Sequence, residues 1–212
     1  MVNRTRGSVA VLGAGGHAKV VIATLREAGF TPTVVLDDDP ALWGTQLLEL
    51  PVLGPVSSLS SQQVDGVVIG IGTNAIRARL AAQLPGVNWV TAVHPSAVVH
   101  STVVLGPGTV VFAGVVIQPD ASCASHVIVN TSASLDHDCV IEDFAHVAPG
   151  ARLAGNVRVA RGAFVGIGSA VIPGRQIGVD AVVGAGSVVI RDVPPSTTVG
   201  GNPARRLKAE NG

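Results

Sequence analysis

Aromatic side chains are nearly missing from this chain: it has no tyrosine, two tryptophans and four phenylalanines in 212 residues. Any core must be filled by small and branched aliphatics. With 26 glycines beside them, the composition suits many short strands joined by tight turns, not a helical bundle. Charge is scarce too: 14 basic residues balance 14 acidic ones, so no net field attracts nucleic acid or an anionic membrane. No apolar run approaches the roughly 20 residues of a membrane span. The first apolar stretch, Val9-Ala10-Val11-Leu12, is too short for a signal peptide and runs straight into glycines. The two cysteines, Cys123 and Cys139, fit no CxxC spacing and read as small core residues of a cytoplasmic protein.

Residues 1–92 alternate strand-like and helix-like patterns. Val9–Leu12, Thr33–Leu36 and Val67–Ile71 are apolar strands. Ala18–Ala28 puts Val21, Leu25 and Ala28 on one helical face, and Asn74–Leu84 does the same with Ile76, Leu80 and Leu84, leaving Arg77 and Arg79 off it. Strands separated by helices predict a small open parallel sheet, a Rossmann-like α/β unit. Gly13-x-Gly15-x-x-Ala18 with Asp37 downstream satisfies a permissive dinucleotide fingerprint, which alone points to an NAD-dependent oxidoreductase. The unit is too short for the full two-half fold. The same physics serves a smaller ligand: the amides of Gly13, Gly15, Gly16 and His17, at a helix N-terminus, receive a diphosphate. Asp37 and Asp38 then accept bonds from the nucleoside, and Asn74 follows the third strand close by.

From Val93 the period becomes six. Val93, Val99, Leu105, Val111, Ile117 and every sixth residue onward to Val189 are apolar, seventeen positions in all. The residue four places later is usually small: Ala97, Thr109, Ala121, Ala133, Ala145, Ala151 and Ala163. This predicts an all-β domain over 93–212, a prism of stacked short strands with the large aliphatic and the small residue turned inward. The period fixes the prism but not its hand. Outward apolar residues such as Phe112 and Phe164 suit contacts between prisms in a homo-oligomer.

Six histidines are candidates for proton transfer at neutral pH: His17, His94, His100, His126, His137 and His146. His137 lies outside the two inward places of its hexad and is flanked by Asp136 and Asp138. Either carboxylate could fix the ring's tautomer.

Leu105-Gly106-Pro107-Gly108-Thr109-Val110 resembles the hexapeptide repeat of left-handed β-helix acyltransferases. Gly13-Ala14-Gly15-Gly16-His17-Ala18-Lys19, Leu36-Asp37-Asp38, Gly70 to Arg77, Val129-Asn130-Thr131 and Asp136-His137-Asp138-Cys139 are similar to the PglD/NeuD family of sugar acetyltransferases. The resemblance runs almost end to end and implies a left-handed helix and a homotrimer with active sites between adjacent prisms. It implies acetyl-CoA as co-substrate and no metal. The acceptor it implies is a nucleotide-linked 4-amino sugar, with UDP as the expected carrier, and the acetyl group moves by direct attack without an acetyl-enzyme. It makes His137 the general base, with Asp138 as first choice of orienter and Asp136 as second. His146 is expected to face outward beside the thioester and Gly155 to offer its N–H to the thioester oxygen. Asn130 is expected to touch the sugar, and Arg205 and Arg206 to meet coenzyme A phosphates. The rival within the class is O-acetylation of sialic acid or a related sugar. Carbonic anhydrases of β-helix form need three histidines on zinc, and no close histidine pair is present here. A scaffold without catalysis is the remaining class.

Overall fold

The computed structural model describes residues 6–207. The chain begins with β1 (Ser8–Leu12), α1 (Gly16–Glu27), β2 (Thr31–Leu36), β3 (Gln46–Leu47), β4 (Leu50–Gly54), β5 (Gly66–Ile69) and α2 (Asn74–Gln83). They form a five-stranded sheet of order β3-β4-β2-β1-β5, in which β1 pairs in parallel with both β2 and β5. Val9 to Leu12 are all buried because both sides of β1 are covered. Val9 and Val11 pack with Val21, Ile22 and Leu25 of α1, while Ala10 and Leu12 turn to the other side and pack with Val56 and Leu80.

Seventeen two-residue strands follow, the first Ala92–Val93 and the last Val188–Val189. They stack in parallel to form the three faces of a left-handed β-helix. On the first face the ladder Val111, Val129, Val147, Val165, Val183 points inward, and Val110, Ile128, His146, Phe164, Val182 points outward. The second face carries Ser134–Leu135 and Arg152–Leu153, and the third carries Val140–Ile141 and Arg158–Val159. The inward aliphatics form one continuous core, with the small Ala121, Ala133, Ala145, Ala151 and Ala163 lining it at the corners.

From Gly108 to Gly186 every corner contains one residue in the left-handed backbone region, at six-residue spacing. Seven are glycines, from Gly108 to Gly186, and Asp120, Asp138, Asn156 and Asp180 take four more. These are the residue types that bear this conformation with least strain. Ser132, His126 and Phe144 take it as well. The last two stack, 5.1 Å between centroids and 4° from parallel, which offsets part of the strain. At the far end, Thr198–Gly200 pairs with the last coil and Arg205–Arg206 returns antiparallel to it. That return covers a strand edge that would otherwise stay open.

The amino-terminal domain sits on the first face. Val110, Phe112 and Ile128 belong to the same core cluster as Val9, Val11 and α1. Phe112 is therefore fully buried within its own chain and does not serve a contact between prisms, which corrects that expectation. Arg77, expected off the packed face of α2, is 2% exposed. The period placed it correctly on the helix, but its face turns toward the β-helix. Among the described residues no helix is long and apolar enough to cross a membrane.

A Cβ added at Gly106 would lie 2.6 Å from the carbonyl carbon of Ala124 and 2.9 Å from the amide nitrogen of Ser125, both backbone atoms of the next coil. Gly106→Ala should destabilise the protein by about 1–3 kcal/mol. Chemical denaturation with an unchanged midpoint would contradict this close-approach account.

Candidate active site

His137 stands at the corner between the second and third faces. Its Nδ1 lies 2.7 Å from Asp138 Oδ2, with the two side chains 55% and 52% exposed. Asp138 is the left-handed residue of this turn, and that conformation brings its carboxylate beside the preceding ring. Asp136 instead accepts the backbone N–H of His137 at 2.8 Å, a local turn bond that leaves the ring to Asp138. With Nδ1–H donated to Asp138, Nε2 is the free base. The hydrogen bond to Asp138 raises the His137 pKa above its ordinary value, and the charges of Asp136 and Asp138 add to the effect.

One coil further along the same corner lies Gly155. A Cβ there would sit 2.4 Å from His137 Nε2, so only glycine leaves the ring its place. Pro107, Pro119, Pro149 and Pro173 occupy the equivalent position in other hexads. The turn therefore makes no use of that N–H, and the Gly155 amide is not needed by the fold.

His146 is placed otherwise than expected. It projects outward from the first face but is 7% exposed, because the amino-terminal domain covers it. Asn130 Oδ1 accepts the N–H of Thr131 at 2.8 Å, so its amide nitrogen faces His146 Nε2 at 3.0 Å. The remaining Nδ1–H then points to the carbonyl of Gly72 at 3.3 Å. Both ring nitrogens are engaged, and burial, aided by the Arg77 charge, pushes the pKa down to about 3. His17 at the start of α1 lies 6.0 Å from His146 and 5.4 Å from Phe112 by ring centroids. Its pKa falls to about 4 for the same two reasons. Asn130 thus holds its own turn and His146, with one amide hydrogen left over.

Asn74 donates to the carbonyls of Gly162 and Ala163 at 2.8 and 3.1 Å and accepts from Arg77 at 3.0 Å. It joins the two domains. Between them opens a cavity of 640 Å³ lined by Gly72, Thr73, Asn74, His146, Phe164 and Asp180 among others.

The glycine loop lies at the carboxyl end of β1, ahead of α1. α1 and α2 begin behind the carboxyl ends of neighbouring strands β1 and β5, and neither Gly15 nor Thr73 caps its helix with a side-chain bond. Nothing lies within 4 Å of a Cβ built on Gly15 or Gly16. Free amides at such a switch point are a ready anion site. Asp37 braces the loop, accepting the N–H groups of Ala14 and Asp39 at 2.7 and 2.9 Å, and Asp38 accepts that of Val56 at 2.9 Å. Gly13, Asp37 and Asp38 line a cavity of 180 Å³ with Ile71 and Arg79.

Arg205 and Arg206 are exposed at the end of the prism beside a cavity of 210 Å³. Cys123 and Cys139 are buried inside it, and burial drives the Cys123 thiol up to about 12 and also raises Cys139. Neither supplies a thiolate. Among the described residues no group of three or more His, Cys, Asp or Glu side chains could hold a metal ion.

Sequence reasoning missed Arg77. Its signal was present as Asn74 and Arg77 three residues apart, neighbours on one side of a helix.

Asp138→Asn removes the acceptor that favours the imidazolium, so the His137 titration midpoint followed by NMR should move downward. An unmoved midpoint would return the role to Asp136.

The PglD N-terminal domain family matches residues 8–84. PerB from Caulobacter crescentus, in complex with CoA and GDP-perosamine, is 42% identical with a TM-score of 0.90 over 96% of this chain and 98% of that one. Variants of the Caulobacter protein with one histidine replaced by asparagine or alanine superpose equally well. The acetyltransferase domain of PglB from Neisseria gonorrhoeae, in complex with acetyl coenzyme A, is 34% identical with a TM-score of 0.88 over 94% of this chain and 98% of that one. Among curated sequences, a chloramphenicol acetyltransferase of Klebsiella aerogenes is 44% identical over 55 residues, 26% of either chain, so the match spans about a quarter of that relative. Taken with the glycine-loop domain and the hexad prism, these likenesses show that the chain belongs to the PglD/NeuD-type sugar acetyltransferases of the hexapeptide-repeat superfamily.

Proposed function

We propose that the protein transfers the acetyl group of acetyl-CoA to the amino group of a nucleotide-linked 4-amino sugar, with His137 as general base. The observation that carries this reading is the corner pairing of His137 with Asp138 directly beside Gly155. The neutral amine attacks the thioester carbonyl and acquires a positive charge as the new C–N bond forms. His137 Nε2 takes the surplus proton, and Asp138 stabilises the resulting imidazolium. The Gly155 N–H, unused by the turn, donates to the oxyanion. Thiolate of CoA leaves as the carbonyl re-forms. The buried thiols of Cys123 and Cys139 take no part.

The glycine loop with Gly13, Gly15, Gly16 and His17 holds the diphosphate, and the crevice beside Asp37 and Asp38 takes the nucleoside. Asn74, Asn130 and His146 form the wall that the sugar passes. Their side chains fix that wall more than they grip the ligand, since most of their polar atoms are already bonded. Arg205 and Arg206 meet CoA phosphates. UDP is the carrier expected from the sequence, and the GDP-perosamine bound to the 42% identical Caulobacter protein puts GDP beside it. The reading places the protein in the cytoplasm.

The site is completed by a second copy. The amino-terminal domain covers the first face, while His137 stands on the edge opposite that face, between the other two. One chain alone keeps its sugar-binding loop and its base on opposite sides of the prism. A homotrimer brings the edge of one prism to the covered face of the next. Val98 and Val104, 65% and 66% exposed on the second and third faces, supply apolar contact.

A thiol-release assay with acetyl-CoA across UDP-, GDP-, dTDP- and CMP-linked sugars, amino and hydroxy, tests the reaction. Release with amino sugars alone supports it, and release with none sinks it. His137→Ala should lower kcat by about 10²- to 10⁴-fold, with KM for acetyl-CoA little changed. Because the His137 pKa is raised, the base is free only above it, and kcat/KM should climb with pH through a midpoint above 6.5. Near-normal turnover in the alanine variant would remove His137 from the mechanism. Light scattering should give three chains per particle, and a monomer at working concentration would overturn the shared site.

A further inference from the structure

We propose that Arg77 is a positioning residue which, with Asn74, sets the register of the sugar-binding loop against the β-helix by binding three successive corner carbonyls. The inference rests on the proposed reading of that loop. Arg77 Nε donates to the carbonyl of His126 at 3.1 Å and Nη2 to that of Phe144 at 2.7 Å. Asn74 Nδ2 donates to that of Gly162 at 2.8 Å. His126, Phe144 and Gly162 are the left-handed residues of one corner on three consecutive coils, eighteen residues apart. Among the described residues no backbone amide uses these three carbonyls. At an open corner water would satisfy them, but here the amino-terminal domain excludes it. A buried carbonyl without a donor is costly, so the domain can dock only where these donors meet the corner.

The other end of the guanidinium grips the loop itself: Nη1 donates to Gly72 at 2.9 Å and to Ile71 at 3.3 Å, and Nη2 to Asn74 Oδ1 at 3.0 Å. Gly72 and Asn74 flank the uncapped start of α2. Among the described residues no carboxylate pairs with Arg77. The cation is held by carbonyl dipoles alone, a task that needs the planar fork of donors that lysine lacks. Burial lowers its pKa only to about 10, so it stays charged. That charge adds to burial in holding His126 near 4, as it does for His17 and His146. The histidines under the domain therefore stay neutral at working pH.

Arg77→Lys in the full chain is the test, with Asn74→Ala as a second variant that removes the contact to Gly162 and keeps the arginine. KM for the nucleotide sugar should rise tenfold or more in the lysine variant, while KM for acetyl-CoA stays within twofold. The pH midpoint of kcat/KM should not move, because Asp138 and Asp136, not Arg77, shift the His137 pKa. Hydrogen exchange at residues 75–83 should quicken at least tenfold while residues 165–183 stay protected. Parallel rises in both KM values, a moved midpoint, or a lysine variant with wild-type sugar KM and exchange would overturn the proposal. If the lysine variant does not fold, the same readouts on Asn74→Ala decide. If the wild-type chain acetylates no sugar, the proposed function fails, and hydrogen exchange still judges the docking role by itself.

Discussion

Each coil of the prism satisfies its backbone through the coils on either side, so the chain must return to the same corner every eighteen residues. In each corner from Gly108 to Gly186 one residue takes the left-handed region to make the bend. That geometry lines side chains up in columns. The inward columns are aliphatic and form the core, while the outward and corner columns are free to carry chemistry. His137 and Gly155 stand eighteen residues apart at one corner, which is why Gly155 determines whether the His137 ring has room. His126, Phe144 and Gly162 are successive members of another column, and their carbonyls receive the amino-terminal domain.

Docking of that domain sets three of the histidines apart from His137. His17, His126 and His146 lie at its contact with the β-helix, where loss of water and the nearby Arg77 charge hold them neutral. His137 stays in solvent on the opposite edge with a carboxylate at 2.7 Å, and its pKa moves the other way. The same imidazole is thereby kept neutral in one place and made more basic in another. Hydration and the sign of the nearest charge account for the difference.

The two sides also bear on the proposed assembly. The amino-terminal domain covers one face, and His137 projects from the opposite edge. Val98 and Val104 on the remaining faces are exposed and fit the proposed meeting of prisms.

Much of this was legible from the residues in order. The six-residue period gave the inward column from Val93 to Val189, and the glycine loop with its acids marked an anion-binding turn. Asp136-His137-Asp138 stood out as a base with carboxylates on either side. These are local patterns, set by strand alternation, turn chemistry and residue type, and they survive whatever packs against them. Which acid holds the ring was decided by the left-handed turn at Asp138, whose direction no neighbouring residue reveals. The burial of Phe112, His146 and Arg77 was likewise undecided. All three look outward from their own elements, and only the placing of one domain on the first face takes them from water. The sequence by itself determined the coil, the corner and the candidate base. Tertiary contact decided which outward side chains are exposed, because burial depends on surfaces brought together from 49 to 95 residues apart along the chain.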